Sequence, residues 1–365
     1  MKPIAQQTGL LSNFPLRGYY RYKDLFQILP AAAQNQSFQQ DHPLILEILY
    51  FPDVWPHRDQ LLWHRDLWER ERFEYIQNHS TEREMDPSDE WVKAYQDQTT
   101  RMRFPAIIEE VSGLLTLFAN HRFFTYHAEQ HWFIPIHPPD RDAPNRSLWG
   151  QLDYIFDPLG SGTDLSEPTC PEVTKVPIQK YYARVRDVMY AGEDNTVQLP
   201  ENIDHLFDLY FKLHPDKKTG LHTACYLYNR ALELRTTCAS LSLVAAVMAI
   251  EALVNCSGAD QPVTKVCEEC RTPESIENCS VCGLPRYRAT SRFKQFLSDF
   301  GSEDLKKFAN ELYKTRSKLA HGGLLRDDLH DSGFYTGKKD EERMFQRNSL
   351  SLVRIVMLNW LIKSY

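Results

Sequence analysis

Of 365 residues, 42% are hydrophobic, 25% charged and 12% aromatic, which excludes the disordered and fibrous classes and leaves ample apolar material for a packed core. The formal net charge of -7 excludes a protein that coats nucleic acid with its whole surface, while allowing a local basic site. The length predicts two domains. The opening MKPIAQQTGLLSNF lacks the basic-then-apolar order of a secretory signal. Residues 238–254 alone approach membrane-span hydrophobicity, but the stretch is short, rich in Ala and Ser, and holds Glu251. The expectation is a soluble, cytoplasmic protein with no membrane partner.

In chain order, residues 43–51 (PLILEILYF) predict a strand and residues 59–78 a helix through Leu62, Trp63, Leu67, Phe73 and Ile76. Pro105 is expected to open an apolar helix reaching Ala119. Residues 122–136 and 151–156 read as strands, 138–145 and 160–171 as loops, and 191–200 as a linker. The expected first unit, residues 1–198, is therefore an α+β domain of regulatory or sensing type. From Asn202 onward strands are expected to stop. Residues 203–213, 222–255, 291–300, 303–320 and 341–363 carry helical apolar spacing, which predicts an all-α domain over 199–365. There is no internal repeat and no low-complexity tract.

Charge divides along the same line. Residues 1–200 carry 19 basic and 28 acidic side chains, residues 201–365 carry 23 and 21, and the stretch 286–326 alone holds ten basic against four acidic. A polyanion would meet the chain at that stretch, or else the stretch is a solvated helical surface. The acidic first part beside it invites an autoinhibitory contact, or a regulatory partner or trigger at the first domain.

Seven of the eight cysteines follow residue 220, and four of them form Cys267-x2-Cys270 and Cys279-x2-Cys282. Two such pairs on tight turns can deliver four thiolates to a tetrahedral ion, the preference of zinc, and a reducing compartment keeps those thiolates available. The expectation is a structural zinc knuckle inserted over about 258–290, because four cysteines leave no open position for a catalytic water. Cys170, Cys225, Cys238 and Cys256 are expected to be small buried hydrophobes, with Cys256 near enough in sequence to the knuckle to be considered with it.

With residues 303–323 as a helix at 100° per residue and Leu305 at 0°, Phe308, Ala309, Leu312 and Leu319 fall within about 60° of that direction. Arg316 lies among them, near 20°. An arginine on an apolar face needs a partner, because an unpaired buried charge costs several kcal/mol on the order of magnitude usually found. Glu251, the only charged residue between Cys238 and Asn255, is the partner the sequence offers. Such a pair is either a salt bridge fixing helix register or part of a site. His321 follows five residues after Arg316, directly before Gly322-Gly323, which are expected to end the helix. On an unbroken helix it lies near 160°, away from the arginine.

The segment Leu312-Tyr-Lys-Thr-Arg316-Ser-Lys-Leu-Ala-His321-Gly resembles the Arg-x4-6-His signature of HEPN domains, in particular the Apea-like HEPN proteins of prokaryotic anti-phage defence. The preceding Leu243-Val-Ala-Ala-Val-Met-Ala-Ile-Glu251-Ala-Leu resembles an earlier helix of that group. The likeness covers about residues 200–365. It implies a HEPN-like helical bundle acting as a metal-independent endoribonuclease on RNA, as a homodimer with its two Arg-His motifs facing each other, in a toxin-like defence role. In that setting Arg316 would bind the scissile phosphate and His321 would take the 2′-hydroxyl proton or give one to the leaving 5′-oxygen. Glu251 would orient Arg316, or tune His321 if it reaches it. Lys314, Ser317, Lys318 and Tyr313 would lie near the substrate, although a surface or packing role is the simpler expectation for Lys318 and Tyr313. Ser317 departs from the Asn, Asp or His that many active members carry after the arginine; it can hydrogen-bond but cannot titrate.

Two rival readings remain. One is a catalytically inert HEPN-like scaffold or RNA-binding subunit in which Arg316, Glu251 and the zinc are structural. The other is a zinc-ribbon nucleic-acid binder that uses Arg286, Tyr287 and Arg288 behind the knuckle. His127 and His131 form a weak metal pair, Asp140 and Asp142 sit in a proline-rich loop, and neither a phosphate-binding GxxxxGK[ST] loop nor a GxSxG elbow occurs.

Overall fold

The computed structural model describes residues 4–31, 42–50, 90–125, 133–135, 149–151, 159–178, 196–257, 265–266, 273–274, 289–301, 305–325, 328 and 337–364. Its first part holds strands β1 (Ile4–Ser12), β2 (Tyr20–Tyr22), β3 (Phe26–Pro30) and β4 (His42–Tyr50), then helix α1 (Glu90–Ala119). Short strands β5 (Phe123–Phe124), β6 (Phe133–Pro135), β7 (Trp149–Gln151), β8 (Ser161–Gly162), β9 (Lys175–Val176) and β10 (Leu199–Pro200) follow. Helices α2 (Ile203–Lys212), α3 (Pro215–Leu234) and α4 (Ala239–Cys256) come next. After them come strands β11 (Lys265–Val266) and β12 (Pro273–Glu274) and helices α5 (Ala289–Phe300), α6 (Leu305–Ala320) and α7 (Gly337–Lys363). The architecture is β-rich first and helical afterwards.

The main sheet has the order β2-β3-β4-β1-β5, with β8 also pairing with β1. Its spine is the nine-residue antiparallel register of β1 on β4, from Ile4↔Tyr50 to Ser12↔His42. The predicted strand at 43–51 is thus present as β4, and its alternation shows in Leu44, Leu46 and Ile48, all buried on one face. Between them Glu47 points to the other face, yet it too is buried, at 3% exposure. A buried carboxylate must be satisfied. Glu47 accepts hydrogen bonds from the Ser166 N–H (3.1 Å), the Ser166 hydroxyl (2.7 Å), the Gln7 amide (3.4 Å) and the Gln27 amide, so it draws the segment 159–171 across the sheet.

Helix α1 starts at Glu90, fifteen residues before the expected opening, and carries Pro105 in its interior. Residues 90–104 hold neither Gly nor Pro, so helix propensity continues upstream of the proline. The helix ends at Asn120, whose φ of 53° is the left-handed conformation common just past a helix. Its last carbonyls are captured from across the molecule: the Arg354 guanidinium, 1% exposed, donates to Leu117 O (2.7 Å) and Phe118 O (2.9 Å). Phe207 of α2 gathers Tyr22, Phe26 and Phe118 at ring-centroid distances of 4.9, 5.1 and 4.9 Å. Tyr20 and Tyr22 donate to Asp204 (3.0 Å) and Asp208 (2.8 Å), and Tyr210 donates to Glu110. Residues on both sides of the expected boundary at 198 therefore share one buried cluster.

Residues 222–255, expected as one helix, form two, broken at 235–238. Cys238 adopts φ -154° and ψ 86°, and the chain folds back so that the Ser242 hydroxyl donates to Ala231 O at 2.7 Å. The break follows the pair Thr236-Thr237, whose β-branched side chains disfavour helix. The other predicted helices of this part are present within a few residues of their expected limits. Helix α4 is, among the described residues, the one helix apolar and long enough to cross a membrane. Its apolar face, including Leu243, Ala246, Val247, Ile250 and Leu253, is buried in the core. Strands do not stop at 202, because β11 and β12 pair through Lys265↔Glu274 and Val266↔Pro273. Cys267, Cys270, Cys279 and Cys282 lie outside the described residues, as do the predicted helix 59–78, the loop 138–145, His127, His131, Asp140 and Asp142. Of the other four cysteines only Cys225 is buried; Cys170, in the loop between β8 and β9, and Cys238 and Cys256, at the two ends of α4, are half-buried. Cys256 packs on α3, where a Cβ added at Gly220 would come within 2.3 Å of its sulfur, and burial pushes its thiol up to about 11.

Beside Arg354, His121 is 1% exposed, and its Nε2 accepts from the Gln198 N–H at 3.2 Å, which places the ring proton on Nδ1. Burial, helped by the positive Arg354, pushes the imidazole down to about 3, so the unfolded chain binds one proton more than the folded chain between that value and about 6.5. Stability then falls as pH falls through this window. Between pH 7 and pH 5 the wild type is expected to lose about 2 kcal/mol relative to His121→Asn, measured by urea unfolding at both pH values.

Candidate functional site

Helix α6 lays its apolar side against α4 and α5. Leu312 is fully buried and Leu319 is 8% exposed, while the Tyr313 ring packs at a tilt against Phe293 of α5, 5.0 Å between centroids. Arg316 falls on this side, as its spacing predicts, and its Nη2 donates to Glu251 Oε2 of α4 at 3.1 Å. Both side chains keep more than a quarter of their surface, 29% for Arg316 and 28% for Glu251. The pair therefore sits at the edge of the core, not inside it. One of the guanidinium's five N–H donors is committed to the glutamate, and Nε–H is buried with no acceptor among the described residues. An arginine that keeps 29% of its side-chain surface and is held from one side by a carboxylate has further Nη–H donors left over, the donor set that suits a phosphate.

His321 is elsewhere. Helix α6 continues unbroken to Ala320, and the His321 N–H still donates to Ser317 O and Lys318 O, both at 3.3 Å. Gly322, at φ +90°, donates to Leu319 O (3.2 Å), and Gly323 donates to Lys318 O (3.1 Å), so a Schellman turn closes the helix as the paired glycines predict. A Cβ at Gly323 would lie 2.8 Å from Lys318 O, so glycine is needed there for room as Gly322 is for its dihedral angle. With the helix intact, the exposed imidazole stays on the far side from Arg316, and Glu251 reaches the arginine and not the histidine. Lys314 and Lys318 are exposed and Ser317 is half-buried along the same helix, whereas Tyr313 is occupied in packing.

The structure adds two residues that the sequence analysis missed. Helix α4 begins after Cys238, which offers no side-chain oxygen to the free N–H groups of the first turn. Asp328 supplies it from beyond the Arg-His helix: Oδ1 accepts from the Ala239 N–H at 2.6 Å and Oδ2 from the Ser240 N–H at 2.7 Å. Ser240 returns a bond, its hydroxyl oxygen accepting from the Leu325 N–H at 2.8 Å. A helix start lacking its own capping residue was the available signal, concealed by reading 222–255 as continuous.

Because the Arg316–Glu251 pair is partly solvated, its direct contribution to folding is about 1 kcal/mol or less. Glu251→Gln is expected to fold and to shift the unfolding free energy by no more than about 1 kcal/mol in a urea titration. No protein-family model, curated protein or solved structure matches this chain.

Proposed function

We propose that the chain is a metal-independent endoribonuclease of HEPN type, acting on RNA through Arg316 and His321, with Glu251 orienting the arginine. The observation that carries this reading is the half-exposed Arg316 guanidinium held in place by Glu251 at 3.1 Å. From the edge of the core it can bind a phosphate while keeping that partner. In the reaction His321 takes the proton of a ribose 2′-hydroxyl, O2′ bonds to phosphorus, and the bond to O5′ breaks as the imidazolium so formed gives that proton to the leaving oxygen. Arg316 stabilises the charge on the phosphate oxygens. The products are a 2′,3′-cyclic phosphate and a 5′-hydroxyl, and DNA, lacking the 2′-hydroxyl, is no substrate. Lys314, Ser317 and Lys318 lie along the same helix for further phosphate contact.

Because His321 and Arg316 of one chain lie on opposite sides of α6, this reading works as a homodimer in which the imidazole of one subunit meets the guanidinium of the other. Leu241 and Met248 on α4, at 54% and 41% exposure, and Leu324 beside His321, at 54%, flank the site with apolar surface suited to a second copy. The toxin-like role in anti-phage defence rests on the resemblance and the cytoplasmic location on the composition, and the first 198 residues would serve to sense a trigger or bind a regulator. A second reading, a catalytically inert dimeric scaffold or RNA-binding subunit, is favoured by one observation: the His321 ring makes no hydrogen bond or ion pair with any described residue.

Cleavage of labelled single-stranded RNA in excess EDTA separates the two. Activity is expected to survive chelation and to fall at least about 100-fold in Arg316→Ala and in His321→Ala. A folded wild type that cuts none of several RNAs favours the scaffold, and cutting that persists in both variants overturns the site.

The reading includes one structural zinc held by Cys267, Cys270, Cys279 and Cys282. What supports it is the β11–β12 pairing, which sets Val266 against Pro273, the residues that flank the stretch holding Cys267 and Cys270 in sequence. Native mass spectrometry is expected to find one zinc per chain, lost in Cys279→Ser, with α-helical circular dichroism retained.

A further inference from the structure

We propose that Asp328, acting with Ser240, is a positioning residue for His321: it clamps the turn that carries the histidine onto the N-terminus of α4, the helix that also holds Arg316 through Glu251. The proposal rests on the ribonuclease reading for its catalytic consequence, and on geometry alone for the clamp.

The turn after α6 has two attachments. At its start the Schellman bonds from Gly322 and Gly323 to Leu319 O and Lys318 O fix it to its own helix. At its far side Leu325 is buried at 8% exposure, its N–H bonds to the Ser240 hydroxyl at 2.8 Å, and its carbonyl accepts the Asp328 N–H at 3.1 Å. Asp328 then places both carboxylate oxygens on the first N–H groups of α4, at 2.6 and 2.7 Å. Two charge-assisted bonds to a helix N-terminus, where the helix dipole favours an anion, make this the strongest contact of the turn. Leu324, exposed, lies between the two attachments, and His321, exposed too, stands at the start of the turn with its N–H still bonded into α6, so its backbone is set by α6 on one side and by the course of the clamped turn on the other.

Helix α4 acts as a ruler. Ser240 and Glu251 are eleven residues apart, which at 100° per residue is three turns and about 20°, so both lie on one face, about 16 Å apart along the axis. That face holds Arg316 at one end and the His321 turn at the other. The Arg-x4-His spacing within α6 fixes only the two backbone positions; the clamp fixes the turn from which the imidazole projects.

The test uses the full-length protein, with histidine labelled at 13Cε1 and the His321 signal assigned by its loss in His321→Ala. In Asp328→Ala the His321 signal is expected to shift or broaden, with faster hydrogen exchange at the Gly323 and Leu325 amides, while Arg316 keeps its pairing. Asp328→Asn, which retains one acceptor oxygen, is expected to restore part of the wild-type signal. On RNA, Asp328→Ala is expected to lower kcat about tenfold or more with KM within about twofold, since phosphate binding by Arg316 is left in place. A cap that matters only for folding would lower Tm and leave the His321 signal, the Asn rescue and the kcat-to-KM split unchanged, and that result overturns the proposal. Should the wild type cut no RNA, the ribonuclease reading fails by itself, and the His321 signal still decides whether the clamp exists.

Discussion

The fold depends on how one buried guanidinium is satisfied. Arg354, at 1% exposure, lies where the end of α1 meets α7, and its Nε and Nη2 donate to the carbonyls of Leu117 and Phe118. Those carbonyls are free because α1 terminates at Asn120, so each side answers the other's unsatisfied groups. The contact joins residues 236 and 237 positions apart in sequence, and it locks the long helix of the β-rich part into the helical part. His121 sits beside the same charge and must stay neutral to be tolerated there, so the junction also makes folding sensitive to acid.

A related arrangement organises the candidate site. Helix α4 is apolar on the side that faces the core, and its polar attachments lie at two points of its length, Glu251 near the C-terminal end and the Ser240–Asp328 contacts at the N-terminal end. Helix α6 and the turn after it are suspended between these points. Placing Arg316 at the edge of the core, over a carboxylate, keeps its charge partly solvated while limiting its rotamers, and the exposed Lys314 and Lys318, two positions before and after it, fall on the opposite side of the helix. The neighbouring Tyr313 and Leu319 are committed to packing, so α6 presents one polar edge and buries the rest.

The sequence made legible what local periodicity and single uncompensated residues can encode. Strand β4 alternates cleanly, and Arg316 and Glu251 stand out because each is a lone charge on an apolar face; their pairing follows from the energetics of burial. Gly322-Gly323 announced the end of α6, and the left-handed φ of Gly322 is the reason. Strand β1 was not legible, because IAQQTGLLS has too few alternating apolar residues and gains its identity only from the partner β4. The break at 235–238 was hidden by apolar spacing that runs across it, and Asp328 was hidden because its partners are 88 and 89 positions away. Glu47, a charged residue inside a strand, gave no sign that Ser166 of a distant loop would cover it.

The position of His321 limits how a shared reaction can work. Under the ribonuclease reading, a general base must come within hydrogen-bond reach of the 2′-hydroxyl whose phosphate Arg316 would hold. On α6 the two residues are five positions and about 140° apart, and α6 is regular to Ala320, with Gly322 and Gly323 closing it instead of unwinding it. Fraying the last turn to bring the ring around would break the Schellman bonds and pull Leu325 from the core and from Ser240. In the proposed homodimer a two-fold axis beside α6 would need none of this, because it would set the histidine of one copy opposite the arginine of the other, and the exposed Leu241, Met248 and Leu324 offer apolar surface for such a contact. Under the ribonuclease reading, a single chain then holds two halves of two different sites, and activity would depend on protein concentration wherever the dimer dissociates.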